Sequence, residues 1–205
     1  MKNRHLLTTS LATIVVAALV VSGIAPFDRA TWIMEVAPAV IALVLLAATR
    51  KSYPLTTLLY VLIAAHALVL IAGGAYSYAR VPFGFWLQDL LGTARNPYDK
   101  LGHLLQGFVP ALVAREILLR GAYVHGRRMA GFLCICIAMA ISACYELIEW
   151  GAALWLGQGA DEFLGTQGDP WDTQSDMLMA LIGSSLAIAF FAAWHDRQLA
   201  QLPKA

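Results

Sequence analysis

Six apolar runs, each close to the ~20 residues needed to cross a hydrocarbon core, constrain this chain more than any other feature. They cover residues 6–24, 32–49, 54–74, 101–119, 130–153 and 175–194. In lipid, backbone N–H and C=O groups must find partners within their own segment, so runs of this length read as helices. The expected fold class is all-α: a polytopic membrane helix bundle of six transmembrane helices, forming a single integral membrane domain over residues 1–205. Composition agrees, with 60% hydrophobic and 13% charged residues, against roughly 25% charged in soluble domains. A net charge of +1 gives no electrostatic case for a nucleic-acid partner.

The first run follows Lys2 and Arg4, as a signal peptide would, but it exceeds the usual core of about 7–15 residues. It lacks a small-x-small cleavage site, and Pro26 follows Ala25. The expectation is a membrane helix. The fourth run is interrupted by His103, Gln106, Arg115 and Glu116; with Pro110, Gln106 suggests a helix that faces protein rather than lipid. Cys134, Cys136 and Cys144 lack metal spacing and read as small apolar helix residues.

Orientation follows from Lys and Arg in the short loops. With the N-terminus in the cytoplasm, the inner segments hold Lys2, Arg4, Arg50, Lys51, Arg115, Arg120, Arg127, Arg128, Arg197 and Lys204, ten in all. The outer segments hold four: Arg29, Arg80, Arg95 and Lys100. Both termini are therefore expected inside, in a bacterial inner (cytoplasmic) membrane. Most acids then fall outside: Asp28, Glu35, Asp89, Asp99, Asp161, Glu162, Asp169, Asp172 and Asp176, with Glu146 and Glu149 near the outer end of the fifth run.

Three pairs stand out on this outer side: Asp99 with His103, Glu146 with Glu149, and Asp172 with Asp176. Spacings of three or four put each pair on one helix face. Asp99 after Asn96-Pro97 also reads as an N-cap, and Thr173-x-x-Asp176 as a capping box. Glu146 and Glu149 lie toward the negative end of their helix, so its dipole does not account for them. Facing lipid would be costly. The pairs suit two chemistries: a divalent metal ion held by carboxylates and imidazole from Asp99, His103, Glu146, Glu149, Asp172 and Asp176, or acid–base catalysis by His103, Glu146 and Glu149. A polar network that only locks the helices together is the structural alternative.

His66 lies mid-span, either hydrogen-bonded across helices or part of a path to the outer cluster. Beyond Gly73-Gly74, Tyr76 and Tyr78 lead into Val81-Pro82-Phe83-Gly84, a composition that suits an interfacial lid or headgroup site, or an ordinary aromatic belt. The loop from Gly165 to Asp172, with Trp171, is a candidate binding element. His66, Tyr76, Tyr78 and Trp171 are thus the candidate substrate-binding residues. No Gly-Lys-Ser/Thr phosphate cradle and no G-x-S-x-G turn occurs, so ATP-driven and serine-hydrolase chemistries have no support.

Three segments carry a resemblance: Asn96-Pro97-Tyr98-Asp99-Lys100-Leu101-Gly102-His103 with Gln106-Gly107-Phe108-Val109-Pro110, then Tyr145-Glu146-Leu147-Ile148-Glu149-Trp150, then Phe163 to Met177. On these the chain resembles the YjdF-like family of bacterial inner-membrane proteins over nearly its whole length. The family pattern places a histidine after Gly73-Gly74, where this chain has Ala75; an outer histidine there is then not essential to any shared activity. The order Asp-x-x-x-His, Glu, Asp is also similar, more distantly, to VanZ-like membrane proteins, some linked to envelope lipids. The resemblance implies membrane lipids as partners and modestly favours a lipid-linked small-molecule substrate. A transporter or ion-binding protein and a non-catalytic assembly protein remain open alternatives.

Overall fold

The computed structural model describes residues 2–156 and 167–202. Asp161, Glu162 and the start of the Gly165–Asp172 loop lie outside the described residues. Among those described, the regular structure is entirely helical: α1 Lys2–Ile24, α2 Arg29–Thr49, α3 Thr57–Tyr76, a 3-10 turn Tyr78–Arg80, α4 Pro82–Leu91, α5 Tyr98–Arg120 and α6 Arg127–Leu156. The last helix, α7, runs Asp172–Leu199 and contains a π-helical turn at Ala187–Phe191.

Five helices, α1, α2, α3, α6 and α7, are long and apolar enough to cross a membrane. The fourth expected span, α5, is not among them. Its 23 residues include Asp99, Lys100, Arg115, Glu116 and Arg120, and their placement explains the low hydropathy. α5 is the inner helix of the bundle, packed against α3, α6 and α7. Asp99, Gln106, Arg115 and Glu116 are all buried on it, so it shows little of itself to the surroundings. α1 is the opposite case, with Ile14, Val16, Val20 and Val21 outward and little of its length buried.

Two apolar cores hold the bundle. Val15, Val36, Ala39, Ala64, Ala67 and Ile71 join α1, α2 and α3. Leu59, Ala111, Leu112, Cys134, Ala138 and Ala187 join α3, α5, α6 and α7. The cysteines are free thiols, Cys134 inside the second core. At the start of α2, Asp28 accepts the backbone N–H of Thr31 at 2.8 Å. That bond holds the partly buried Asp28 carboxyl below its ordinary range, because it favours the ionised form.

The tightest helix pair is α5 with α7, and small residues make it possible. A Cβ on Gly107 would lie 1.9 Å from the carbonyl oxygen of Ala180, and one on Gly183 would lie 2.0 Å from that of Leu104. Each glycine thus seats the other helix's backbone, the small-residue packing by which helices approach closely in membranes. On α7, Asp172, Asp176, Ala180, Gly183 and Ala187 form the buried stripe that faces α5.

The π turn decides what continues this stripe. Asp176 and His195 are 19 positions apart, which in a regular helix at ~100° per residue would leave them about 100° apart. The π turn absorbs one residue and returns them to nearly one face. His195 is fully buried as a result, while Trp194 is half exposed.

Candidate functional site

Seven residues from four segments meet at the Asp99 end of α5. Asn96 sets the entry: its side-chain oxygen accepts the Tyr98 N–H at 3.0 Å and its amide donates to the Val81 carbonyl at 3.1 Å. Asn96, one residue before the N-cap Pro97, thus holds the first N–H of α5, and Asp99 turns toward His103, Oδ1 to Nε2 3.5 Å. α6 brings Glu146, 3.7 Å from His103 Nδ1. α7 brings Asp176, 3.9 Å from His103 Nε2. The α7 start has no side-chain cap; Asp172 and Asp176 instead accept the Lys100 ammonium, each at 2.7 Å. Arg95 donates to Asp172 at 2.7 Å and to Asp169 at 2.8 Å.

The three sequence pairs thus converge on one place, with His103 at its centre. Its Nδ1 is 2.8 Å from the Gln106 side-chain oxygen, so that nitrogen carries the proton and Nε2 faces Asp99 and Asp176. Glu146 is buried and its Oε1 has no hydrogen-bond partner. A small cavity is lined by Tyr78, Asp99, His103, Gln106, Tyr145 and Glu149, with room for roughly one water.

The other candidates divide. Tyr78 lies inside the site, buried against Tyr98 with ring centroids 5.8 Å apart. Gly73 makes room for it, since a Cβ there would lie 2.5 Å from the Tyr78 ring. Tyr76 and Trp171 are exposed and do not line the cavity. His66 does not line it either; it sits one turn along α3 from Leu70, which does, and its Nε2 is buried without a partner. Gln167 and Asp169, at the described end of the loop, dock on Asn96 and Arg95.

Several site residues were not singled out from sequence. Glu35 of α2 is buried and accepts the Tyr145 hydroxyl at 3.0 Å. Gly74 lets α2 come this close, as its Cβ would lie 3.0 Å from the Glu35 Cβ. The signal was present: a lone acid inside an apolar span marks a functional position. Lys100 and Arg95 were counted only as loop charges.

A second buried polar cluster occupies the other end of α5. Glu116 accepts from Thr56 Oγ1 at 2.8 Å, His195 Nε2 at 3.0 Å and Arg120 at 2.9 Å. Arg115 reaches His195 Nδ1 at 3.2 Å and Asp196 at 2.6 Å. Because the guanidinium can only donate, His195 Nδ1 is the acceptor and Nε2 donates to Glu116. This network ties the start of α3 to the ends of α5 and α7. Its carboxylate and imidazole groups are satisfied.

The family described as "Predicted membrane protein (DUF2238)" matches residues 7–197. Inner membrane protein YjdF of Escherichia coli (strain K12) is 60% identical over 194 residues, covering 95% of this chain and 92% of that protein. No solved structure matches. With its apolar helices and this relative, the chain is a multi-pass protein of the bacterial inner membrane. It belongs to the DUF2238 family of predicted membrane proteins, with the YjdF inner-membrane protein among its relatives.

Proposed function

We propose that the protein binds or processes a lipid or lipid-linked headgroup at the periplasmic face, with His103, Glu146 and Glu149 as its acid–base groups. The observation that carries the reading is the junction of a buried acid–base cluster with a helix of interfacial character. Tyr78 of the cavity wall leads into α4, whose Phe83, Phe85, Trp86, Leu90 and Leu91 are exposed. A short helix with this apolar face and only Gln88 and Asp89 as polar side chains suits the headgroup boundary of a bilayer. The cavity is too small for a headgroup, so the reacting group meets the cluster at its rim, beside Lys100 and Arg95. In hydrolysis, His103 takes the proton of the attacking water and a glutamic acid protonates the leaving oxygen.

The test is a lipid profile of cells lacking the gene, complemented with wild type or with the double variant His103→Asn, Glu146→Gln. The expected result is that the wild type restores the profile and the double variant, present in the membrane at equal level, does not. Full restoration by the variant, or no lipid difference on deletion, would sink the reading.

The reading includes six crossings within one membrane domain, N- and C-termini cytoplasmic, with α5 as the fourth crossing. Its support is that the ends bearing Arg4, Leu55, Glu116, Arg127 and Asp196 meet: Arg4 donates to the Leu55 carbonyl, Thr56 to Glu116, and Arg127 pairs with Asp196 at 3.1 Å. In a cysteine-free background, an impermeant maleimide applied to spheroplasts is expected to label Thr93→Cys and spare His125→Cys. Equal labelling of both would remove α5 as a crossing.

A second reading, ion or proton transport, has one specific observation in its favour. His66 presents a buried, unpartnered Nε2 one turn from the cavity wall, as a relay group would.

A further inference from the structure

His103 Nε2 faces a buried acidic pair. With Nδ1 toward Gln106, Nε2 looks onto two carboxylate oxygens, Asp99 Oδ1 at 3.5 Å and Asp176 Oδ1 at 3.9 Å. These distances are longer than hydrogen bonds, yet all three groups are buried. Buried carboxylates so close need positive charge beside them, which a proton on Nε2, the Lys100 ammonium or a bound cation can supply.

The three ligand atoms lie within 4.8 Å of one another. A point equidistant from atoms so spaced is roughly 2 to 2.5 Å from each, the range of divalent metal–oxygen and metal–nitrogen bonds. On the far side of the ring, Glu146 Oε1 is buried, unpartnered and 3.7 Å from Nδ1. Gln106 and Glu146 thus occupy the place of the outer partners that orient a metal-bound imidazole and raise its basicity.

One group competes. Lys100 Nζ touches Asp176 Oδ1 at 2.7 Å and, equally, Asp172 Oδ1 at 2.7 Å. We propose that Asp99, His103 and Asp176 form a divalent-cation site in which the Lys100 ammonium is the resident counter-ion, displaced onto Asp172 when the metal binds. Lys100 needs little movement for this exchange, because Asp172 already holds it. Imidazole with two carboxylates suits zinc and manganese. The site is half-open in character: three protein ligands leave further positions for water or a substrate oxygen.

The inference rests on reading this cluster as the working site and moves the base role from His103, whose Nε2 would hold the ion, to Glu146 or Glu149; its test uses no lipid. Failure of metal binding would leave metal-free acid–base chemistry standing, and failure of the lipid experiment would leave a bound cation standing. Full-length protein in detergent, stripped with chelator, is titrated calorimetrically with zinc and with manganese. Wild type is expected to bind one equivalent of at least one ion. Asp176→Asn is expected to weaken it by about tenfold or more, and Lys100→Gln to tighten it by about tenfold, each some 1.4 kcal/mol. The gain in Lys100→Gln is the decisive arm, since a misfolded variant cannot bind more tightly. Binding by neither wild type nor Lys100→Gln, or the same affinity in all three proteins, would overturn the proposal.

Discussion

Gly183→Ala is expected to lower the melting temperature of the detergent-purified protein and to pull apart the Lys100–Asp176 contact some two turns away. The added Cβ would lie 2.0 Å from the Leu104 carbonyl oxygen and 3.1 Å from the Phe108 nitrogen. Both are α5 backbone, so no side chain can swing aside and the helices themselves must separate. Overpacking of this kind costs about 1–3 kcal/mol, occasionally more, and the rigid neighbours put this case at the upper end. The same separation moves Asp172 and Asp176 away from Asp99, Lys100 and His103, since one set rides on α7 and the other on α5. Gly151→Ala is the matched control: its Cβ meets nothing within 4 Å, and alanine is the better helix former. Equal melting of the two variants would remove close α5–α7 packing as the support of the site.

Inserting an alanine after Ala189 tests the π turn with an expected effect at least as large. The turn already absorbs one residue, so a second one rotates everything beyond it by about 100°. Trp194 would then turn toward α5, and His195 would leave Glu116 and Arg115. Glu116 is fully buried and Arg115 nearly so; removing one partner from such a network costs about 3–5 kcal/mol, because charges stay behind unpaired. The expected outcome is a large loss of thermal stability, measured in the same detergent. Adding Trp194→His to the insertion should restore part of it, by placing an imidazole where His195 had been. An insertion that melts like wild type, or no rescue by the second change, would show that the π turn does not set this register.

The spans that face lipid were legible because apolar length is a local property. α1, α2, α6 and α7 each contain the expected run, extended by polar residues at the ends, as 32–49 becomes Arg29–Thr49 and 175–194 becomes Asp172–Leu199; α3 starts at Thr57, three residues later than the expected 54–74, and ends at Tyr76. α5 was the weakest of the six, for a physical reason: a helix enclosed by protein need not be apolar, so hydropathy fades where the bundle is most interior. α4 was read as a lid-like stretch from Val81 to Gly84, not as a helix.

The site was legible as far as helical spacing reaches. Asp99, His103, Glu146 and Asp176 could be paired within helices, and Gln106 marked a protein-facing helix. Glu35 and Lys100 join through contacts between helices, which no spacing records. His195 was hidden twice over. It lies among polar residues at a helix end, and the π turn offsets it from the face that regular periodicity would assign.

The enclosed position of α5 also bears on how the protein is made. Charged residues at a helix centre oppose insertion from the translocon by about 2.5–3.5 kcal/mol each, and less toward the ends. α5 carries such residues at both ends and His103 and Gln106 between them. Its partners Asp172, Asp176, His195 and Asp196 belong to α7, which is synthesised later. On the proposed reading of α5 as a crossing, the emerging helix must therefore be held in the membrane unsatisfied until α7 arrives. Ribosomes that stall before α7 would leave a chain whose most polar segment has nothing to pair with, an easy target for membrane quality control. Completion of α7 thus also releases α5 from that exposure.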